Sequence, residues 1–295
     1  MTIPKKIFYV WGANEPKRID VELCIKTWKY ACPDYEIIEI NEDSTEYFNF
    51  REELKNNKWF RTVYERKMFA YVSDYVRIKT LYDNGGIYLD TDVIVIKNFD
   101  EFLNEPAFVG IQDSKIDGNE NYVEPAILGS IKSNSVLKKI LEIYDENSKV
   151  NIWNTNIYSM PQIFEYILGT LYEKQVYPAK NEQKIIHYKN ITIYPEEYFI
   201  PYRYVEQFRP KNIKQNTRTI HCWNASWHKP EIDFFLKNKY KYSLEEIDNE
   251  YLKYQLNDKY LKNTFIQNIF SIRNSNDKTH KIVTLLGFKI KIRRN

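Results

Sequence analysis

The sequence predicts an α/β fold whose first strands are parallel. The apolar runs Lys6–Val10 and Tyr35–Ile40 flank the segment Asp20–Tyr30, in which apolar residues recur at helical spacing. A strand, a helix and a second strand, with a turn after the first strand, are the usual start of such a fold. The 295 residues of the chain are enough for one large domain with a substantial core.

Later segments extend this alternation of strands and helices. Charged and aromatic residues at 42–66 predict helices that cover the sheet, and residues 244–271 predict a charged helical region. We therefore expect a main domain at residues 1–236 and a helical C-terminal extension with a basic amphipathic tail at residues 237–295. Further strands are predicted at Phe108–Ile111, Ala126–Ser130, Ile185–Tyr194 and Thr219–Trp223, and further helices at Val136–Tyr144 and Gln162–Leu171.

The composition argues against some classes of function. The formal net charge is only +3, which does not favour nucleic acid as a partner. The cysteines Cys24, Cys32 and Cys222 are too few and too irregularly spaced for a disulfide framework or a zinc site, and they fit a reducing compartment. The apolar run Ile7–Trp11 is far shorter than a signal peptide or a membrane span, so we expect a cytoplasmic location.

The most informative stretch is Ser73–Ile96. Apolar residues at helical spacing predict a helix that ends at Asn84-Gly85-Gly86, because glycine adopts the left-handed dihedral angle of a helix end. The β-branched residues that follow predict one buried strand, Ile87–Ile96. The polar residues that share one face of an extended strand here are Tyr88, Asp90 and Asp92.

Two carboxylates follow the apolar start of this strand. Asp90 and Asp92 have the spacing i, i+2, which suits a hard divalent cation that prefers oxygen ligands and shares its shell with phosphates. A solvated strand end is the ordinary alternative for such a pair. Because unpaired acids at the end of a buried strand are costly, we interpret the pair as a candidate metal site.

Three other groups are candidates for binding. Asp74 and Arg77 share a helix face. They either form a surface ion pair worth about 0.3–0.5 kcal/mol or bind sugar hydroxyls and phosphate. Trp11 lies in the turn after the first strand and is either a core residue or a platform for a flat base. Asn224 and Ser226 form either a polar turn or the last oxygen ligands of a metal and diphosphate shell.

The order of these motifs resembles glycosyltransferase family 32. That family contains bacterial capsule and polysaccharide transferases and is similar to the glycosylating domains of certain bacterial toxins and effectors. The resemblance covers residues 3–230 and implies a GT-A fold with a mixed central sheet, a nucleotide-sugar donor, Mn²⁺ or Mg²⁺, and retention of anomeric configuration. It makes residues 1–236 the catalytic domain. The matching motifs are Tyr9-Val10-Trp11, Ser73-Asp74-x-x-Arg77, Leu81-Tyr82-Asp83-x-Gly85-Gly86-Ile87-Tyr88-Leu89-Asp90-x-Asp92 and Asn224-x-Ser226-Trp227.

The resemblance also implies a role for each matching residue. Asp90, Asp92 and Arg77 are the expected catalytic residues, with Asp92 on the metal directly and Asp90 bound to it through water or to the ribose. The other expected donor-binding residues are Trp11 on the nucleobase, Asp74 and Arg77 on ribose and sugar hydroxyls, Tyr88 beside the nucleotide, and Trp227 over the diphosphate. The expected additional metal ligands are Asn224 and Ser226, and His221 is left open as a ligand.

The chain also departs from the pattern of this family. Glu124-Pro125-Ala126 stands where many members have an asparagine-rich turn, and Ser159-Met160-Pro161 stands where many have Thr-Gly-Pro. The acceptor side of the site is therefore the part that the resemblance predicts least. The basic tail at residues 278–294 is either a last strand or helix with solvated charges, or a docking element for the inner face of the cell membrane.

We therefore expect a retaining, metal-dependent glycosyltransferase. It would move a sugar from a UDP-sugar to a lipid-linked saccharide acceptor in bacterial capsular or surface polysaccharide synthesis. A membrane-docked tail would suit such an acceptor. Three alternatives stay open. They are an effector-type enzyme that glycosylates host proteins, a phosphatase with Asp90 as nucleophile, and a protein that binds nucleotide sugar without catalysis.

Overall fold

The computed structural model describes residues 1–112, 122–172, 184–203, 206–223 and 229–255, and the backbone of three later strands. By contacts between residues, the chain divides into two compact units, Met1–His228 and Lys229–Asn295. Among the described helices, none combines the length and the apolar character that a bilayer crossing requires. Each unit is described by itself.

The first unit alternates strands and helices. Its strands are β1 (Lys6–Val10), β2 (Glu36–Ile40), β3 (Gly86–Leu89), β4 (Val93–Val95), β5 (Ala107–Gln112), β6 (Tyr122–Ser130), β7 (Ile186–His187), β8 (Thr192–Tyr194) and β9 (Thr219–His221). Its helices are α1 (Ile19–Ala31), α2 (Phe50–Asn56), α3 (Lys58–Glu65), α4 (Phe69–Asn84), α5 (Ser135–Tyr144), α6 (Met160–Tyr172) and the single turn α7 (Glu196–Phe199). The predicted strand Ile185–Tyr194 is thus two short strands, β7 and β8, joined by a turn.

The first unit is built on a mixed sheet with the strand order β2-β1-β3-β6-β5-β8-β7. β1 is parallel to both β2 and β3, whereas β6 runs antiparallel between β3 and β5. The predicted α/β fold with a mixed central sheet is confirmed. Because β1 and β3 are parallel neighbours, the residues that follow them lie at the same edge of the sheet.

The helix before β3 ends as its glycines predict. Gly85 caps α4 at φ 68°, and Gly86 continues at φ 125°. A Cβ atom on Gly86 would lie 2.8 Å from Cε2 of Phe8 and 3.0 Å from the carbonyl oxygen of Lys6. The two glycines therefore allow α4 to end directly against β1, which is how β3 enters the centre of the sheet.

The predicted single strand Ile87–Ile96 is wrong, because β3 ends at Leu89. Residues 90–92 form a turn in which the amide of Val93 donates to the carbonyl of Asp90 at 3.1 Å, and β4 then pairs with β9 in a separate two-stranded sheet. The amide of Asp90 makes a last hydrogen bond to the carbonyl of Ala126 at 2.9 Å. Charged side chains are costly inside a buried sheet, so the chain leaves the sheet where the two acids occur.

The second unit is only partly helical. Helix α8 spans Pro230–Asn238, residues 244–255 are also helical, and the strands β10 (Phe270–Asn274), β11 (His280–Leu285) and β12 (Phe288–Arg293) form an antiparallel sheet. The prediction of a helical extension is therefore wrong for residues 270–274, 280–285 and 288–293. The tail alternates apolar and basic residues with a period of two from Phe288 to Arg293, which favours a strand. Of the two structures left open for the tail, the structure shows the strand.

Candidate active site

Three potential metal ligands meet where β3 ends. Asp90 and Asp92 occupy the turn between β3 and β4, and His221 is the last residue of β9. Among the described residues, these three form a cluster in which one ligand atom of each side chain lies within 4.8 Å of a ligand atom of each of the others. Nε2 of His221 is 3.2 Å from Oδ1 of Asp92. His221, whose role as a metal ligand the sequence left open, therefore joins the predicted acid pair.

The pairing of β4 with β9 places His221 at this turn. Val93 pairs with His221 in the ladder, and the amide of Cys222 donates to the carbonyl of Asp92 at 2.9 Å. Trp223 follows at φ 58°, a left-handed conformation that is uncommon for such a bulky residue. Its ring centroid lies 4.1 Å from that of His221, and its indole N–H donates to the carbonyl of Tyr202 at 3.2 Å. Backbone and ring contacts together orient the imidazole.

Arg77 anchors the other side of the turn. Its guanidinium donates to Oδ1 of Asp90 at 2.8 Å and to the carbonyl of Pro125 at 2.6 Å, and it lies 3.4 Å from Oδ1 of Asp74. The residue is only 3% exposed, so the alternative of a surface ion pair does not apply. Nε of Arg77 is buried and has no partner among the described residues. Arg77 therefore holds Asp90 in place from within the protein.

Tyr88 supports this arginine. Its side chain is 2% exposed, and its ring centroid lies 4.5 Å from the guanidinium carbon of Arg77. Such a cation–π contact stabilises a desolvated cation by about 2 kcal/mol. The contact assigns Tyr88 a positioning role, and its direct contact with a nucleotide stays a prediction.

Carboxylates outnumber cations in this site. Among the described residues, four carboxylates interact electrostatically here, whereas three cations oppose them. Since buried charges require compensation, this excess of negative charge favours a bound cation. The carboxylates are those of Asp74, Asp90, Asp92 and Glu124, and the cations are Arg18, Arg77 and protonated His221.

The pKa values of these groups reflect the same imbalance. Burial raises the pKa of Asp74 to about 7, although Arg77 opposes the shift. Burial also raises the pKa of Asp90 and of Glu124, against the attraction of Arg77 and His221. Burial by itself would lower the pKa of His221, but the hydrogen bond and charge of Asp92 raise it to about 9. The acids are thus hard to ionise, and the imidazole is hard to deprotonate, without another cation.

The donor set fits a divalent metal. Carboxylates suit Mg²⁺ and Mn²⁺, whereas an imidazole suits transition metals, so the combination of Asp90, Asp92 and His221 favours Mn²⁺ over Mg²⁺. Nδ1 of His221 is buried and has no hydrogen-bond partner among the described residues. The residues present therefore fit the predicted cofactor, with His221 added to the ligand set.

Trp11 lies at the same edge of the sheet. It follows β1, the parallel neighbour of β3, and its amide donates to the carbonyl of Ile40 at 3.2 Å. Its indole N–H donates to the carbonyl of Glu15 at 2.7 Å, and the side chain is partly buried. A fully buried core residue is thus excluded, and the position agrees with a platform for a base.

Other predicted site residues lie outside the part of the chain that is described. They are Asn224, Ser226 and Trp227, whose metal and diphosphate roles stay predictions. Glu124 was noted in the sequence only as a departure from a family pattern, and the structure brings it into the site. An acid followed by proline within an apolar strand was the one local signal for it.

Comparison with known proteins matches a family to the part of the chain that carries α1, α4 and the Asp90–Asp92 turn. Residues 19–109 match the family described as a glycosyltransferase sugar-binding region containing a DXD motif. His221 and Glu124 lie beyond the matched residues. The family match therefore supports the two aspartates as site residues independently of the geometry, whereas His221 is assigned to the site by geometry.

Individual relatives carry glycosyltransferase names. Mouse lactosylceramide 4-alpha-galactosyltransferase is 28% identical over 162 residues, which cover 52% of this chain and 40% of the mouse protein. Inositol phosphoceramide mannosyltransferase 3 of Schizosaccharomyces pombe is 34% identical over 110 residues, which cover 36% of this chain and 29% of the yeast protein. The match thus spans less than half the length of these curated relatives.

Among solved structures, the PaToxG glycosyltransferase is similar with a TM-score of 0.44 at 20% identity, over 58% of this chain and 71% of that one. The family match, rather than this likeness, confirms the resemblance for the matched part of the chain. Residues 19–109 of the chain match a glycosyltransferase sugar-binding region, and Asp90 and Asp92 form the Asp-x-Asp pair within the matched residues.

Proposed function

We propose that the protein is a retaining, metal-dependent glycosyltransferase that moves a sugar from a nucleotide-sugar donor to a saccharide acceptor. The observation that carries the proposal is the meeting of Asp90, Asp92 and His221 in a site with excess negative charge. These three residues would hold Mn²⁺ or Mg²⁺. When bound, the metal offsets negative charge on the leaving nucleoside diphosphate.

The chain's own residues position the donor. Trp11 stacks on the base at the edge where β1 and β3 end, and Asp74 accepts a hydrogen bond from a donor hydroxyl. Arg77 fixes the carboxylate of Asp90 and so keeps the DXD turn in one geometry. Holding both ends of the donor lowers the entropic cost of reaching the reactive arrangement. The acceptor hydroxyl then attacks the anomeric carbon on the face from which the nucleotide departs, which retains configuration.

The donor is a UDP-sugar and the acceptor is a lipid-linked saccharide in this proposal. Two curated relatives are named for acting on lactosylceramide and on inositol phosphoceramide, and both names describe lipid-linked acceptors. The basic tail supplies the matching membrane contact, which would place the enzyme at the inner face of a bacterial cell membrane during capsule or surface polysaccharide synthesis.

A panel of nucleotide sugars tests the proposal directly. Slow hydrolysis of one UDP-sugar, dependent on added Mn²⁺ and abolished by a chelator, is the expected result for the full chain. Asp92→Asn should lower this activity at least about 100-fold, because one charged ligand of the site is lost. Glu142→Gln, on the exposed face of α5, is the control and should behave as wild type.

Three outcomes would contradict the proposal. Asp92→Asn with full activity in the presence of Mn²⁺ would remove the metal role of the DXD motif. Hydrolysis of a simple phosphate ester, without action on any nucleotide sugar, would favour the phosphatase alternative with Asp90 as nucleophile. Binding of nucleotide sugar with neither metal dependence nor hydrolysis would favour a non-catalytic binding protein.

A further inference from the structure

Glu124 is an acidic residue of the site that the proposed function does not use. It lies on β6 opposite Gly110 of β5, and its side chain is partly buried. Its carboxylate interacts electrostatically with His221, Asp90 and Arg77. These interactions indicate that the carboxylate lies near the metal ligands and near Arg77, which holds Asp90.

An irregularity in the sheet places Glu124 there. The pairing of β5 with β6 shifts, so that Val109 pairs with Leu128 but the next residue, Gly110, pairs with Glu124. Residues 125–127 of β6 therefore bulge away from β5. Bulges of this kind redirect side chains and are frequent beside active sites. Pro125 has no amide N–H to leave unpaired at this position, which suits it to a bulge.

The bulge is tied to the site by its carbonyl groups. The carbonyl of Pro125 accepts a hydrogen bond from Arg77 at 2.6 Å, and the carbonyl of Ala126 accepts one from the amide of Asp90 at 2.9 Å. The amide of Ala126 in turn donates to Oε1 of Glu124 at 3.3 Å. Glu124 is therefore held by the same short segment that holds the DXD turn, and its position is coupled to that turn.

The carboxylate of Glu124 is not in the ligand cluster. Among the described residues, that cluster consists of Asp90, Asp92 and His221, whose ligand atoms lie within 4.8 Å of one another. An ionised carboxylate has about four acceptor positions, and the Ala126 amide occupies one of them. Glu124 thus offers hydrogen-bond acceptors next to the metal ligands without belonging to them.

The chemistry of a nucleotide sugar selects which part of it can lie here. A diphosphate would be repelled by a carboxylate, whereas sugar hydroxyls donate hydrogen bonds to it. The transferred sugar is bonded to the terminal phosphate of the donor, so it would lie next to Asp90, Asp92 and His221 if these residues held a metal that binds the diphosphate. We propose that Glu124 determines donor specificity by accepting hydrogen bonds from hydroxyl groups of the transferred sugar. This inference rests on the proposed function.

Binding measurements separate the sugar from the rest of the donor. The full chain is titrated by calorimetry with Mn²⁺, with UDP, and with UDP-glucose, UDP-galactose and UDP-N-acetylglucosamine, as wild type and as Glu124→Gln. We expect the variant to bind the preferred nucleotide sugar about 10- to 100-fold more weakly, because a hydrogen bond to a charged acceptor is lost. Its affinities for UDP and for Mn²⁺ should match those of wild type.

Further variants keep the inference testable if Glu124→Gln does not fold properly. Glu124→Asp retains the charge and should recover part of the lost affinity, and Glu142→Gln is the matched control on an exposed surface of α5. Thermal unfolding of each variant checks that it is folded. Unchanged affinity of Glu124→Gln for the preferred nucleotide sugar overturns the inference, and so does a loss of Mn²⁺ affinity as large as that of Asp92→Asn. If wild type binds none of the nucleotide sugars, the proposed function itself fails.

Discussion

His221 shows what a single side chain adds to the DXD motif. It is separated from Asp92 by more than a hundred positions, yet its Nε2 lies 3.2 Å from Oδ1 of that residue. Asp92 raises the pKa of the imidazole to about 9, so His221 is charged at neutral pH in the metal-free protein. A metal ligand must be neutral, and a metal therefore competes with this proton.

We predict that Mn²⁺ binding releases a proton from His221. The apparent affinity for Mn²⁺ should increase as the pH rises towards 9, since a smaller fraction of the imidazole is then protonated. Calorimetry at pH 7 in two buffers of different ionisation enthalpy measures the proton release. His221→Gln should bind Mn²⁺ more weakly and release fewer protons than wild type. The neighbouring acids supply the remaining protons, since burial raises the pKa of Asp74 to about 7.

The same shift predicts how the stability of the metal-free protein depends on pH. The pKa of His221 is raised above its ordinary value of 6.5, so the folded state binds the proton more tightly than the unfolded state. The stabilisation is fully present below about pH 6.5 and is lost as the pH rises through about 9. The melting temperature of His221→Gln should lack this decline, and an identical pH profile would contradict the assignment.

At the scale of elements, Arg77 connects a helix to two strands. It projects from α4, donates to Asp90 after β3, and donates to the carbonyl of Pro125 in the bulge of β6. The sequence grouped Arg77 with Asp74 as neighbours on one helix face, but it did not show that Arg77 is buried and that Asp74 is partly buried. The strand pairing that buries them involves residues far apart in the chain.

We predict that Arg77→Met lowers the free energy of unfolding by about 3 kcal/mol, the lower end for a buried pair, because it leaves the partly buried carboxylate of Asp90 without its partner. Arg77→Lys should also destabilise, since an ammonium group does not reproduce the planar contacts to Asp90 and Pro125. Urea denaturation measures both. A loss below about 1 kcal/mol for Arg77→Met would mean that this ion pair stabilises the protein no more than an exposed one does.

The junction of α4 with β3 also depends on Gly86, for a steric reason. We predict that Gly86→Ala destabilises the protein by about 1–3 kcal/mol, because the new methyl group would meet Phe8 and the φ of 125° is strained for alanine. Gly169→Ala in α6 is the control, since its Cβ meets nothing within 4 Å among the described atoms and alanine favours a helix by about 0.5–1 kcal/mol. Opposite signs in urea denaturation are expected, and a neutral Gly86→Ala would contradict the steric argument.

At the scale of the whole molecule, the chain consists of two compact units with different roles in the proposal. The first unit, Met1–His228, contains the described site, whereas the second, Lys229–Asn295, ends in the antiparallel sheet of β10, β11 and β12. Basic residues alternate with apolar ones along β12, and alternate residues of a strand share one face. The backbone of the tail is therefore compatible with a basic face, which is the feature that membrane docking requires.

We predict that replacing Lys289, Lys291 and Arg293 together by Gln weakens binding to vesicles of phosphatidylglycerol. Each basic residue near an anionic surface contributes about 1 kcal/mol, so a loss of about two orders of magnitude is expected at low salt. Co-sedimentation with vesicles measures it. The matched control replaces the exposed Lys26, Lys29 and Lys138 by Gln and should bind as wild type. Equal binding by both variants would remove the membrane role of the tail.

Local pattern predicted those parts of the fold and site that depend on near neighbours. The α/β class follows from the periodicity of Lys6–Ile40, the end of α4 from its two glycines, and the DXD motif from residues only two positions apart. Each of these features is decided within a few turns of helix or one strand. The sequence alone therefore determined that the chain is an α/β protein with a candidate metal-binding acid pair.

Only the tertiary structure decided how distant residues complete the site. The end of β3 at Leu89, the inclusion of His221, and the position of Glu124 near Asp90 all depend on which strands pair. Pairing brings together residues that are tens to more than a hundred positions apart, and no local period records that choice. The acid pair can be recognised in the sequence, whereas its histidine is placed by the pairing of β4 with β9 and the neighbouring glutamate by the pairing of β5 with β6.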